Sequence, residues 1–475
     1  MPRGSEPRAS RRSAEGTRVP QAPLGAIFMA ALLLLNAFQA CAAVFFVSPD
    51  GNDAASGTEA SPFRTVQKAL SVAGPGDTLV LLPGEYGEQV AICRNGAEAN
   101  PITIEGRGEV KITNGWMVGT YSVPCHNVVI RGLTFRGAGL AIKGSSNVVE
   151  HCIFEGPVGG LSVSPHPTAD PAAEYVVVRG NVFRDFGKVV VTGTGTKTRN
   201  VLIESNAWYN LEGDVIRMFG VGHIFRYNVI SNVMETGFHA DIFQVYGNNN
   251  EQSLDMLVEG NFFCKSSGSI AMLQNRQGAP IGRWTFRNNV FFRVTGTAQI
   301  SIPYCSVVNN TFVESGQNTA GPILLRYDVD VEWGYAHHTR IFNNLFVGCS
   351  SRPDGDDLGW YHFADRPSSV FVGFEADYNF VSKSAAAGYG PKAGFRGVEK
   401  NGINGGDPLF VDPMLGDFRL RAGSALLDNA LPLRDFSWDM RGLPRPSGAG
   451  WDRGALEGAF VNEVVTPPSD LRVVR

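Results

Sequence analysis

Residues 201–208 read Val-Leu-Ile-Glu-Ser-Asn-Ala-Trp, residues 224–230 read Ile-Phe-Arg-Tyr-Asn-Val-Ile, and residues 284–291 read Trp-Thr-Phe-Arg-Asn-Asn-Val-Phe. In each, an apolar strand runs into a turn asparagine and a few more apolar residues follow. The unit recurs with its turn residue at Gly132, Cys152, Asn181, Asn206, Asn228, Asn261, Asn289, Asn310, Asn344 and Asn379. The steps between these residues are 20, 29, 25, 22, 33, 28, 21, 34 and 35. A period in the twenties with insertions is the mark of a solenoid. No helical pattern separates the units, so the solenoid is a β-helix, each coil stacked on the last. The eight asparagines at one register predict a ladder of side chains bonded coil to coil, which fixes register. A β-sandwich or propeller with Asn-rich turns is the competing architecture. Ten units in one register, with irregular loops between them, argue against it.

Composition points the same way. Glycine is abundant, at 56 of 475 residues, and only 18 % of the chain is charged. Gly and Asn between short apolar runs are turn chemistry for an all-β chain. The net charge is -4. Residues 1–43 hold Arg3, Arg8, Arg11, Arg12 and Arg18 against Glu6 and Glu15, so the remainder is more acidic still. There is no basic run or stripe, which excludes a nucleic-acid binder of the usual kind. An acidic ligand would need a local basic site.

Residues 1–43 have the pattern of an export signal: a basic n-region, an apolar core from Leu24 to about Ala40, then small residues through Ala43. A membrane anchor is the alternative, but the core is short and Asn36 and Gln39 interrupt it. The six further cysteines, Cys93, Cys125, Cys152, Cys264, Cys305 and Cys349, are scattered without metal-ligand spacing. An exported chain could oxidise them. Cys152 falls at a buried type of position and reads as a small core residue.

From Ala43 the chain opens with Phe-Phe-Val-Ser-Pro-Asp-Gly-Asn-Asp, residues 45–53, a strand and a turn cluster. Val66, Ala69, Leu70 and Ala73 then lie at helical spacing, with Ser61-Pro62 as the expected helix start and residues 74–77 as its stop. A lone amphipathic helix ahead of a β series is expected to cap one end of the stack. The expected organisation is a signal peptide over 1–43, one β-helix domain with N- and C-terminal caps over 44–460, and a disordered tail over 461–475. The C-terminal cap is expected because an open solenoid end would expose apolar strands.

These segments carry a resemblance. The opening at residues 45–53, Ser-Pro-Phe-Arg-Thr-Val-Gln-Lys-Ala-Leu at 61–70 and Gly-Asp-Thr-Leu-Val-Leu-Leu-Pro-Gly-Glu-Tyr at 76–86 are similar to the start of many exported bacterial β-helix proteins. Asp-Pro-Leu-Phe-Val-Asp-Pro at 407–413 and Asp-Arg-Gly-Ala-Leu-Glu at 452–457 look like the end of the same group. The chain resembles the right-handed parallel β-helix family of the pectate-lyase type (PbH1 repeats), with relatives among family-nine and family-six polysaccharide lyases. That implies an exported, carbohydrate-active protein. The chain departs from the family's better-known lyases: their paired acidic calcium ligands with a nearby Lys have no clear counterpart, and Lys265 is only a loose match.

Candidate site residues come from laying neighbouring units over one another by their turn asparagines. Asp214 and Arg217, then His239, Asp241, Gln244 and Tyr246, then Gln274 and Arg276 fall in corresponding places on three coils. Lys188 lies one coil below. With coils about 4.8 Å apart, Asp214 stacks on Asp241 and Arg217 on Gln244, with Tyr246 against Gln274. A uronate lyase must neutralise a carboxylate, remove the C5 proton and assist the leaving oxygen. Arg217, or Ca²⁺ held by Asp214 and Asp241, suits the first task. His239 suits the second and Tyr246 the third. A hydrolase would use Asp214 and Asp241 as acid and base. Each residue also has a plain structural reading: a turn aspartate, an inert histidine, an Arg217–Asp241 ion pair. Trp333, Tyr335, His337, His338, Trp360, Tyr361 and His362 lie in inserted loops that could stack sugar rings or pack over the barrel.

The expectation is an exported monomer with a polysaccharide substrate, no nucleic acid, no stable membrane span and Ca²⁺ as the one candidate cofactor. The alternative is a non-catalytic glycan-binding or cell-surface structural protein.

Overall fold

The computed structural model of the chain describes residues 42–156, 159–164, 173–185, 190–191, 198–235, 240–247, 251–275, 279–316, 321–326, 333, 335–349, 361–363, 372–382 and 399–458. Residues 43–475 form one compact unit. Among the described residues, two sheets of thirteen strands each run the length of the molecule, and neighbouring strands within them are parallel. Each coil contributes one short strand to the first sheet, such as Leu257–Glu259, then one to the second, such as Phe262–Ser266. A third wall follows in chain order. It is made of a five-stranded sheet over the early coils, including Gly139–Ile142, and another over the later coils, including Asp241–Gly247 and Ser269–Asn275. Parallel strands joined by crossovers wind right-handed, so the molecule is a single-stranded right-handed parallel β-helix.

The repeat read from the sequence maps onto this coil position by position. In Tyr227-Asn228-Val229-Ile230 the first-sheet strand has just ended at Arg226, and Tyr227 is left-handed (φ 55°). The turn asparagine follows, and Ile230 points into the core with 1 % exposure. Left-handed residues recur at this corner, at Ser205, Tyr227, Asn288, Asn309, Asn343 and Tyr378. Another left-handed column precedes the first sheet, at Asn200, Asp255, Arg283, Tyr304 and His338. An L-residue rarely adopts this conformation. Stacked coils must all turn at the same place, so the corner geometry is imposed on whatever residue stands there.

Three ladders hold the coils in register. Asn181, Asn206, Asn228, Asn261, Asn289, Asn310, Asn344 and Asn379 are all buried. Asn181 Oδ1 accepts Cys152 N, and from Asn206 on each side-chain carbonyl accepts both the backbone N–H and the Nδ2 of the asparagine below it, at 2.9–3.1 Å. The ladder ends on Glu399, whose two oxygens take the Asn379 N and Nδ2. Two residues beyond Cys152, Asn181, Asn206, Asn261, Asn289, Asn310 and Asn344, aromatic rings stack, while Ile230 and Val381 take that place beyond Asn228 and Asn379. Phe154, Phe183 and Trp208 are 4.9 Å apart, and Phe263, Phe291, Phe312 and Phe346 are 4.7–5.0 Å apart. That is the coil rise itself.

On the outside of the first sheet one column reads Glu105, Arg131, Glu150, Arg179, Glu204, Arg226, Glu259, Arg287. Strict alternation of sign avoids like charges one coil apart. It yields ion pairs such as Arg179–Glu150 at 2.8 Å and Arg226–Glu204 at 2.7 Å.

The ends differ from the sequence expectation in detail. The helix is Val66–Val72, started by Thr65, whose hydroxyl accepts from Lys68 N, and not by Ser61. Residues 61–63 instead pair beside the first strand, with Phe63 N donating to Phe46 O and Ser48 N to Phe63 O. This covers an edge that would otherwise invite another strand. At the other terminus, residues 407–458 clasp the side of the barrel. Phe410, Phe418, Leu426 and Ala455 pack with Val290, Phe292, Val313, Leu345 and Phe380 on the outside of the second sheet. Asn343 Oδ1 accepts Leu431 N, and Asn309 Nδ2 reaches the Asp452 and Gly454 carbonyls. The second-sheet strands turn apolar on both faces where the clasp covers them.

The Asp-Arg-Gly-Ala-Leu-Glu motif closes this clasp. Arg445 and Glu457 form a fully buried ion pair. Arg445 also donates to Asn288 Oδ1 and Gly454 O, and Arg453 to Asn379 O and Asn401 O. The motif's residues are thus occupied in holding the fold.

Candidate functional site

The later third-wall sheet carries the sequence-derived site. Val215 N and Ile216 N donate to Asp241 O and Ile242 O, and Gln244 N donates to Ile216 O. A bridge pairs Ile216 with Phe243. By this register Asp214 stands opposite Asp241 and Arg217 opposite Gln244. One coil on, Asp241 pairs with Ser269, Gln244 with Met272 and Tyr246 with Gln274. The coil-to-coil register is the one read from the turn asparagines.

Alternation then decides which groups meet solvent. Asp241 shares its parity with Phe243 and Val245, which fill the core, and it has no exposed surface. Asp214 is 5 % exposed. Arg217 and Gln244 have the opposite parity and are partly exposed, and Tyr246 is 37 % exposed. Asp214 Oδ2 accepts from Arg217 Nη2 at 2.8 Å. The structural alternative has Arg217 paired with Asp241; the ion pair shown is with Asp214. Arg217 Nε is buried and has no hydrogen-bond partner among the described residues. Burial keeps the carboxylate dry and fixes the cation's stem, while its head reaches the surface.

The outward columns extend beyond the three coils first aligned. Gln244 is followed by Met272, Gln299 and Leu324. Gln299 Oε1 accepts from Arg326 Nη1. Gln299 and Arg326 were missed because insertions change the number of residues between each turn asparagine and its third-wall strand. The face is thus a strip with the amides of Gln244 and Gln299, the Tyr246 phenol, the Met272 thioether, Leu324 and an arginine toward each end, while Gln274 is only 3 % exposed.

Other candidates fall elsewhere. His239, Arg276, Trp360 and Lys188 lie outside the described residues, as do the side chains of Tyr361 and His362. Trp333 lies beyond the end of the sheet: its carbonyl accepts from Asn275 Nδ2, and its ring is 6.4 Å from Tyr304 and 5.9 Å from the Arg283 guanidinium. His337 and His338 pack around Tyr304, His338 stacked on it at 5.0 Å. Lys265 is left-handed near the end of the second-sheet strand Phe262–Ser266. The described residues do not fit Ca²⁺. Calcium takes six to eight oxygens, whereas Asp214 is held by a cation and no cluster of three or more His, Cys, Asp or Glu stands ready among the described residues.

Stacked walls and the asparagine ladder define a single-stranded parallel β-helix protein, and one wall carries an elongated strip of polar groups. Residues 49–110 match the model of a protein family of unknown function, DUF1565. A protein of Bacillus subtilis (strain 168) described as uncharacterized protein YwoF is 30 % identical over 121 residues, which is 22 % of this chain and 26 % of that protein. The chain therefore aligns with about a quarter of that relative's length. Among solved structures, the chain is similar to XylC in complex with xylose, at 11 % identity and a TM-score of 0.48, covering 87 % of this chain and 99 % of that one. It is also similar to pectate lyase Pel9A, at 15 % identity and a TM-score of 0.39, covering 88 % and 96 %.

Proposed function

We propose that the chain is an exported carbohydrate-active protein that binds a polysaccharide along the third wall and cleaves it by β-elimination. The observation that carries this reading is the strip itself: Arg217, braced by buried Asp214, lies in register with Gln244 and, one pair on, with Tyr246 and Gln274. Gln244 and Gln299 stand two coil rises apart with Met272 between them, and Tyr246 stands one rise of about 4.8 Å from the buried Gln274, a spacing that suits a hydroxyl-rich chain lying along the axis. Arg217 neutralises the uronate carboxylate, His239 takes the C5 proton, and Tyr246 protonates the oxygen released when the C4–O bond breaks. The products are an unsaturated uronate and a free hydroxyl end. Hydrolysis is less well supported, because its two carboxylates would be Asp214 and Asp241, and both are buried.

The test is a panel of uronate and neutral polysaccharides, reading ultraviolet absorbance and reducing ends together. Both signals rising together on a uronate supports elimination; reducing ends alone would replace it with hydrolysis. A second reading, glycan binding without cleavage, is favoured by the absence of an exposed carboxylate in these columns among the described residues. Binding without either signal would establish it.

A further inference from the structure

A second trough lies on a different wall. It has a volume of about 430 Å³ and runs along the outside of the first sheet. Its floor is the outward column Leu257, Thr285, Ser306, Arg340, one residue per coil. One side is the left-handed corner column with Arg283 and Tyr304, and the other is the C-terminal clasp at Leu433, Asp435 and Phe436. The proposed third-wall site uses none of these residues.

We propose that this trough is a second carbohydrate-binding site, taking a neutral linear oligosaccharide that lies parallel to the helix axis. Three observations select that ligand. First, the floor strands are hydrogen-bonded to neighbours on both sides, so a peptide finds no free edge on which to add a strand. A ligand here is read by side chains alone. Second, those side chains repeat at the coil rise, about 4.8 Å, close to the advance of one sugar ring along an extended chain. Thr285 and Ser306 offer a hydroxyl per coil beside the 42 % exposed Tyr304. Third, the cations are already paired. Arg283 bonds both oxygens of Asp255 at 2.6 and 2.8 Å, Arg287 bonds Glu259 at 2.6 Å, and Arg340 lies 3.6 Å from Glu375. An acidic sugar would have to displace a carboxylate already in place. A neutral one can use the paired planar groups as fixed donors and acceptors.

The test is calorimetric titration of the full chain with xylohexaose, cellohexaose and mannohexaose, with hexagalacturonate as the charged comparator. At least one neutral hexasaccharide should bind with 1:1 stoichiometry. Ser306→Trp, which fills the trough from its solvent face, should weaken that binding at least about tenfold, and Arg340→Ala by about three- to tenfold. Arg217→Ala, on the other wall, should leave it unchanged, so failure of this proposal and failure of the elimination reading are separable. A thermal melt checks each variant's fold, and Arg340→Ala decides if Ser306→Trp does not fold. Absence of neutral binding, neutral binding that survives the trough variants, or neutral binding lost in Arg217→Ala would overturn the assignment. So would hexagalacturonate binding that the trough variants abolish.

Discussion

Replacing Asn261 by alanine removes the middle rung of the ladder. Its Oδ1 accepts Asn228 N at 2.9 Å and Asn228 Nδ2 at 3.0 Å, and its Nδ2 donates to Phe225 O and Asn289 Oδ1 at 2.9 Å each. In Asn261→Ala the buried Asn228 N–H is stranded, at about 1–3 kcal/mol, while the three other lost bonds contribute about 0.5–1.5 kcal/mol each. Asn228 Nδ2 keeps the Ile203 carbonyl, which limits the loss at that atom. The expected destabilisation is about 3–6 kcal/mol, read from urea unfolding as a lower midpoint. Amide exchange at Asn228 should accelerate more than at distant coils. Asn261→Asp retains an acceptor but places a carboxylate oxygen against Phe225 O and Asn289 Oδ1. It should be at least as damaging at neutral pH and recover on acidification, as a protonated carboxyl regains a donor. The alanine deficit should not follow pH in this way. A loss below about 1 kcal/mol in both variants would refute the view that the ladder's bonds are made and needed.

His223 is fully buried, with Val201 N donating to its Nδ1 and Phe219 O facing its Nε2, and burial lowers its pKa to about 4. Its contribution is present above the unfolded value near 6.5 and is lost as pH falls through 4, by up to about 3 kcal/mol; His223→Gln should flatten that acid limb in pH-dependent unfolding. Glu399 has the opposite sign. Burial, aided by Asp377, raises its pKa to about 7 against the bonds from Asn379. Its stabilising contribution is full below about 4.5 and lost as pH rises through 7, so Glu399→Gln should raise the melting temperature at pH 8 and change it little at pH 4. Arg445→Leu strands the Glu457 carboxylate and should cost about 3–5 kcal/mol, exposing residues 400–458 to limited proteolysis. Adding Glu457→Leu should recover part of that loss.

The coil was legible because its signals are periodic. Asn206, Asn228 and Asn261 each stand at the same point of an apolar pattern, and stacking turns that coincidence into a bonded ladder. The third wall was legible in register but not in orientation. Asp214 and Arg217 are three apart, so alternation puts one in the core and one on the surface, and the spacing that brought them together also separates their roles. A C-terminal cap was expected over an open end; the clasp along the barrel's side was not. The signal was nevertheless present: Val290-Phe291-Phe292 and Leu345-Phe346-Val347 are apolar on both parities, which requires a cover on the outer face as well as a core on the inner. Gln299 and Arg326 escaped notice because their coils carry insertions of different length, and no local residue pattern reports a register that only stacking defines.

The central claim is that the third wall is where a polysaccharide is bound and cut, with Arg217 meeting its carboxylate. The most direct measurement is steady-state turnover of a uronate polysaccharide by the wild-type chain and by Arg217→Lys and Arg217→Ala, followed by ultraviolet absorbance, with a thermal melt of each protein. The account predicts an absorbing product from the wild type. It also predicts a fall in kcat/KM of about a hundredfold or more in Arg217→Ala, an intermediate value for Arg217→Lys, and little change in melting temperature. Turnover that is indifferent to Arg217, or no product from any uronate, would contradict it.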